Sequence, residues 1–130
     1  LYLDSSALVK LVQREPESEA LRRFLRRHRG DGRVTSALAR VEVVRAVSAG
    51  GAVPIAHARR QLARVDQIVL DRELLDSAAS MAPGSTLRSL DAVHLASARS
   101  IGADLAAVVT YDRSMQDAAR DLGMLTEAPR

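Results

Sequence analysis

Leu1-Tyr2-Leu3-Asp4-Ser5-Ser6-Ala7-Leu8-Val9-Lys10-Leu11-Val12 is the stretch that decides the fold. A short apolar run ends in an acid, two hydroxyl residues follow, and apolar side chains then recur at Leu8, Val9, Leu11 and Val12. An unbroken apolar run suits a buried strand, the later spacing suits one face of a helix, and Ser5 or Ser6 supplies the N-cap between them. The reading is strand, acid, helix. The same order returns near the other end of the chain. Leu105 to Val109 is the clearest buried strand, Thr110, Tyr111 and Asp112 stand where it stops, and Met115 to Leu122 reads as a last helix closed by Gly123.

Between these ends, Pro16 and the acids after it open a helix carrying Ala20, Leu21, Phe24 and Leu25 on one face and ending near Gly30 and Gly32. Val34 to Ser36 is a brief strand. The pattern Leu38, Val41, Val44, Ala46 and Val47 gives a helix over Ala37 to Ala49, stopped by Gly50 and Gly51, with Glu42 inside it. A helix with Ile55, Ala58, Leu62 and Val65 follows Pro54, Ile68 to Leu70 is a strand, and Glu73 to Met81 is a helix. Pro83 to Thr86 is a loop, after which Leu90 to Ile101 is helical with Asp91 in its first turn. Short apolar strands alternating with amphipathic helices predict an α/β fold: a central parallel sheet of four to five short strands flanked by helices. No repeat, low-complexity tract or linker divides the chain, so residues 1–130 are expected to form a single domain. In such sheets ligands bind beyond the carboxyl ends of the strands, where strand order reverses. Asp4 and Asp112 each follow an apolar strand directly, and the rule places them on the same edge.

Composition narrows the chemistry. With no cysteine there is no disulfide framework, no zinc–thiolate site and no thiol nucleophile, and a reducing cytoplasm is the expected compartment. No apolar run approaches the roughly 20 residues that cross a bilayer, so no membrane association is expected. The chain opens on Leu1 rather than Met, and one or a few residues are expected ahead of the first strand. The net charge is +3, with Lys10 the only lysine; Arg22, Arg23, Arg26, Arg27, Arg29 and Arg33 crowd one stretch, and Arg59, Arg60 and Arg64 another. Guanidinium forks bind phosphate well, which makes nucleic acid a plausible partner, although a solvated helix face is the simpler explanation of a charge run taken alone. Aromatic residues are only 2% of the chain, so stacking on bases cannot dominate and backbone phosphates would carry the binding.

Four acids stand in mostly apolar surroundings: Asp4, Glu42, Asp91 and Asp112. A buried carboxylate is costly to desolvate, and several together repel one another; a divalent cation answers both problems. Oxygen donors without cysteine select a hard ion, Mg²⁺ or Mn²⁺, with Asp4, Asp91 and Asp112 as its ligands and Glu42 as the fourth catalytic acid. Such a site suits hydrolysis of a phosphodiester bond without a covalent intermediate. Each acid also has a structural reading. Asp4 and Asp112 suit N-caps, Asp91 suits the positive end of a helix dipole, and Glu42 has Arg45 one turn away as an ion-pair partner. Ser6 and Thr110 offer hydroxyls beside Asp4 and Asp112, Arg88 and Arg113 flank two of the acids, and His94 lies one turn after Asp91, where a structural histidine is the simpler reading. Asp117 is expected to face solvent.

The chain resembles the PIN-domain ribonucleases, and among them the VapC toxins of bacterial type II toxin–antitoxin pairs. The resemblance is carried in order by Asp4-Ser5-Ser6-Ala7-Leu8-Val9-Lys10-Leu11, by Glu42 in a helix, by Leu87-Arg88-Ser89-Leu90-Asp91-Ala92-Val93-His94-Leu95-Ala96-Ser97-Ala98, and by Thr110-Tyr111-Asp112-Arg113 before a helix ending Leu122-Gly123. It spans essentially the whole chain and lacks none of the family's acids; threonine is frequent in the family where Ser5 stands. The resemblance implies a PIN-like three-layer fold, Mg²⁺ or Mn²⁺ dependence, endonucleolytic cutting of RNA, homodimerisation, and inhibition by a cognate antitoxin that occupies the acidic groove.

Rival readings can be tested on the residues. A haloacid-dehalogenase phosphatase needs an aspartate where Ser6 stands, and a phosphoacceptor receiver domain needs a late lysine that this chain lacks. A non-catalytic RNA- or protein-binding module has no reason to hold mutually repelling acids. A nuclease acting on DNA or flap substrates stays open, because metal-assisted hydrolysis does not by itself distinguish ribose from deoxyribose.

Overall fold

The computed structural model describes all residues, 1–130. Five strands form one parallel sheet: β1 (Tyr2–Leu3), β2 (Val34–Ser36), β3 (Asp66–Ile68), β4 (Val108–Val109) and β5 (Thr126–Glu127), in the order β3-β2-β1-β4-β5. The helices are α1 (Ser5–Val12), α2 (Ser18–Arg27), α3 (Ala39–Val47), α4 (Ala52–Leu62), α5 (Arg72–Ala79), α6 (Ser89–Ser100) and α7 (Arg113–Asp121).

Alternation along the strands sorts these helices into two layers. Leu1, Leu3, Ala107 and Val109 belong to a core shared with Leu8 of α1, Leu21 of α2, Val43 of α3 and Leu62 of α4. Tyr2 and Val108 belong to a second core with Leu74 of α5, Leu95 of α6 and Met115 of α7. The central strands are therefore covered on both faces, which is why they read as unbroken apolar runs. Leu8 and Leu95 are fully buried on opposite sides of the sheet, and truncating either to alanine costs about 2–5 kcal/mol. The three-layer α/β architecture expected from the sequence is present.

Several boundaries differ from the sequence reading for physical reasons. The third strand begins at Asp66 rather than Ile68, because β3 is an edge strand whose register is set by pairing Val34 with Asp66, and apolar Val69 beyond it is exposed. The fourth ordered ladder is shorter than Leu105 to Val109, since a 3-10 turn occupies Gly102–Asp104 and pairing begins near Val108. The fifth strand, Thr126–Glu127, has no sequence signature of its own and exists because it pairs with β4. α4 starts at Ala52 and takes Pro54 into its first turn, where a missing N–H is tolerated. α7 ends as expected at Gly123, whose φ of +79° lets its N–H reach Arg120 O while Met124 N–H reaches Ala119 O.

Strand order reverses between β1 and β4. β2 and β3 lie outward on one side of β1, whereas β4 and β5 extend the sheet on the other. The helices that follow β1 and β4 leave the sheet through opposite faces, which opens a crevice at the carboxyl ends of these two strands.

Candidate active site

Leu3 is in register with Val109, and the Asp4 N–H donates to Val109 O, so the residues following β1 and β4 meet at the crevice. Asp4 caps α1: its Oδ1 accepts from Ala7 N–H at 3.0 Å, and Asp112 Oδ1 caps α7 by accepting from Met115 N–H at the same distance. The capping reading and the functional reading therefore coexist in the same residues.

Asp4 is almost completely buried, and two hydroxyls clamp it. Ser6 Oγ donates to Asp4 Oδ1 at 2.6 Å and accepts from Tyr111 N–H at 3.0 Å. Thr110 Oγ1 donates to Asp4 Oδ2 at 2.6 Å and accepts from Asp112 N–H at 3.2 Å. Each hydroxyl thus ties one oxygen of the β1 acid to the loop that carries the β4 acid. Burial pushes the Asp4 carboxyl above the usual range, and the bonds from Ser6, Thr110 and Ala7 offset only part of that push.

Asp91, in the first turn of α6, is also raised, first by burial and then by the nearby charge of Asp112. Arg88 approaches it at 3.8 Å but is itself mostly exposed, so the contact offsets the charge only weakly. Glu42 behaves differently. Burial pushes its carboxyl up, but hydrogen bonds from His94 and Ser5 outweigh it and hold the group below its usual value. His94 Nε2 lies 2.5 Å from Glu42 Oε1 and Ser5 Oγ donates to the same oxygen at 2.7 Å; Arg45, the anticipated helical partner, forms no ion pair with it.

A cleft of about 480 Å³ has Ser5, Ser6, Glu42, Tyr111 and Asp112 on its walls, while Asp91 lies outside its lining. Asp4 does not line the cleft itself; it is buried and bonded to Ser6, which does. Lys10, which the sequence reading passed over, also lines the cleft. Its ammonium bonds Glu15 and Glu17 and sits 4.7 Å over the Tyr111 ring, holding the rim of the cleft together. Its one sequence signal was its rarity, a lone lysine among arginines. A hollow of about 460 Å³ between α5 and α6 holds none of the four acids.

The donor set is all oxygen, and at Asp4 and Asp91 its charge is only partly offset by the protein, which fits a hard divalent cation. The desolvation cost at Asp4 and the repulsion between Asp91 and Asp112 would both fall with such an ion bound. No three of these acids stand close enough to form a ready ligand cluster in the protein alone.

Other expected contributors lie elsewhere. Arg113 is exposed and unpaired, and Asp117 faces solvent beside Arg120. Arg22, Arg26 and Arg33 converge with Gln61 around a shallow hollow on the α2 side. Arg33 precedes β2, so this basic patch lies toward the amino ends of the strands, opposite the acids.

The chain is similar to known PIN-domain proteins. The PIN domain matches residues 1–121. Ribonuclease VapC46 of Mycobacterium tuberculosis (strain H37Rv) is 52% identical over 130 residues, covering 99% of this chain and 97% of that protein. Ribonuclease VapC35 of the same strain is 41% identical over 131 residues, covering 99% and 96%. Ribonuclease VapC47 of M. tuberculosis strain CDC 1551 is 40% identical over 132 residues with the same coverages, 99% and 96%. No helix of the chain is long and apolar enough to cross a membrane.

Proposed function

Because the chain belongs to the PIN-domain family, we propose that it is a metal-dependent endoribonuclease that acts as the toxin of a type II toxin–antitoxin pair. The observation that carries this reading is the meeting of Asp4 and Asp112 at the β1/β4 reversal, clamped together by Ser6 and Thr110. An N-cap needs no second acid opposite it. Two caps tied to each other, one of them lining the cleft with Glu42 and repelling Asp91, suit a charge that is not part of the chain.

In this reading Asp4, Asp91 and Asp112 hold Mg²⁺, with Mn²⁺ as a substitute. The bound cation supplies positive charge that polarises the scissile phosphodiester and lowers the pKa of a water. Glu42 is ionised and held by Ser5 and His94, so it presents a fixed acceptor for the proton of the attacking water. Ser6 and Thr110 keep the acids in register. Lys10 and Tyr111 shape the rim along which the RNA lies, and exposed Arg113 beside Asp112 contacts a backbone phosphate.

The protein works as one domain in the cytoplasm, as a homodimer, and is silenced when its cognate antitoxin fills the acidic cleft. Support for a protein partner comes from an apolar hollow of about 310 Å³ between α5 and α6, rimmed by Leu75, Met81, Leu87 and Val93. The test is expression of the chain without an antitoxin. Growth should arrest, and Asp4→Ala should relieve the arrest; arrest that persists in the variant contradicts a carboxylate nuclease.

A further inference from the structure

His94 was expected to be a structural histidine, and its burial alone would suit that role. Its contacts say more. Both ring nitrogens are engaged, and by different layers of the fold. Nδ1 lies 2.6 Å from the hydroxyl of Tyr2, a fully buried residue of β1. Nε2 lies 2.5 Å from Glu42 Oε1 and 3.2 Å from Ser5 Oγ, so α6, α3 and the start of α1 meet on one nitrogen. The rings of Tyr2 and His94 stand edge to face, with centroids 6.0 Å apart.

Donor chemistry gives this chain a direction. An ionised carboxylate only accepts, so the Nε2 proton points to Glu42. In the neutral ring Nδ1 is then an acceptor, and the Tyr2 hydroxyl donates to it. A phenol is protonated at neutral pH, so the Tyr2 hydroxyl has the proton that this arrangement needs. Ser5 donates the remaining hydrogen bond to Glu42 Oε1. Glu42 has no ion pair with its own helix; its rotamer is set from across the sheet.

We propose that His94 is a positioning residue of the nuclease: backed by the Tyr2 hydroxyl, its imidazole fixes the Glu42 carboxylate in the cleft beside Ser5. This inference rests on the ribonuclease reading above. A long glutamate on a helix otherwise samples many rotamers, and a proton acceptor that wanders is productive for only part of the time. Partners behind the groups that do chemistry typically cost about 10- to 100-fold when removed. That is the loss expected in kcat for His94→Leu, with KM for RNA little changed because His94 does not reach the cleft surface. Tyr2→Phe should give a smaller loss, since the ring keeps its bond to Glu42.

The experiment is a cycle on the full-length protein: wild type, His94→Leu, Glu42→Gln and the double variant, each assayed for kcat and KM on one RNA with Mn²⁺. Circular dichroism checks the fold. His94→Gln, which retains a hydrogen-bonding side chain, and Tyr2→Phe stand in if the leucine variant does not fold. If His94 acts through Glu42, the double variant is no slower than Glu42→Gln alone. Losses that multiply, or a folded His94→Leu variant within twofold of the wild type, overturn the proposal. Imidazole ¹⁵N resonances supply a readout apart from turnover, and they should report an Nε2-protonated ring that shifts in Glu42→Gln. A wild type that cuts no RNA sinks the ribonuclease reading itself, whereas a cleaving wild type with an indifferent His94 sinks only this inference.

Discussion

Replacing Thr110 with valine tests the clamp that joins the two strand-end acids. Thr110 is fully buried, and its hydroxyl both donates to Asp4 Oδ2 at 2.6 Å and accepts from Asp112 N–H at 3.2 Å. Valine has nearly the same shape, so the change removes hydrogen bonds without opening a cavity. A hydrogen bond to a charged group contributes about 1.5–3 kcal/mol, and Asp112 N–H is only partly buried and can turn to water, so about 2 kcal/mol is the expected loss at neutral pH. A chain of 130 residues unfolds with an entropy of about 0.27 kcal/mol/K, which converts that loss into a drop in Tm of about 7 °C. The bond is charge-assisted only while Asp4 is ionised. As pH falls through the elevated Asp4 pKa, the contact becomes a neutral one of about 1 kcal/mol and the gap should narrow to about 4 °C. Scanning fluorimetry of metal-free wild type, Thr110→Val and Thr110→Ser from pH 4 to 8 measures this. Serine should recover most of the loss. A valine variant within 2 °C of the wild type at neutral pH, or a gap that ignores pH, refutes the clamp.

Other consequences follow from the same charges. Asp91 has its carboxyl raised by burial and by Asp112, so its protonated form is the one the fold favours. Its contribution is fully present below the ordinary aspartate pKa and is lost as pH rises through the elevated folded value. Asp91→Asn should therefore raise Tm relative to the wild type in EDTA at pH 8 more than at pH 4, while abolishing turnover; a lower Tm at both pH values would show that the site does not strain the metal-free fold. Arg113→Gln, next to the cleft residue Asp112, should weaken RNA binding, measured in the Asp91→Asn background, and reduce the slope of log K against log salt by about 1. An unchanged slope would make Arg113 a solvated surface residue.

Much of this fold was legible because the central strands are buried on both faces. Leu1–Leu3 and Val108–Val109 had to be apolar throughout, and an acid that caps the next helix follows each, Asp4 at once and Asp112 after Thr110 and Tyr111. The β1/β4 convergence then followed from topology rather than from any residue. Edge pairing was not legible: Asp66–Ile68 and Thr126–Glu127 are strands because a neighbour offers hydrogen bonds, and their sequences carry little periodicity. In the site, Asp4, Glu42, Asp91 and Asp112 stood out as acids among apolar residues. The partners of Glu42 did not. Arg45 was the local choice, and the tertiary contact with His94 prevailed because α6 brings the imidazole over the sheet to a carboxylate that no charge on α3 reaches. Lys10 and Tyr2 were equally hidden, since an ordinary helix lysine and an ordinary strand tyrosine look the same in sequence whether or not one lines a cleft and the other meets a buried histidine.

The most direct test of the central claim is cleavage of total cellular RNA by the purified protein with Mg²⁺, with Mn²⁺ and with EDTA, beside Asp91→Asn and a matched DNA strand. The account predicts discrete RNA fragments that require the cation, vanish in the variant and have no counterpart from DNA. Folded protein free of antitoxin that leaves RNA intact with either metal, or cuts it equally well in EDTA, would contradict it.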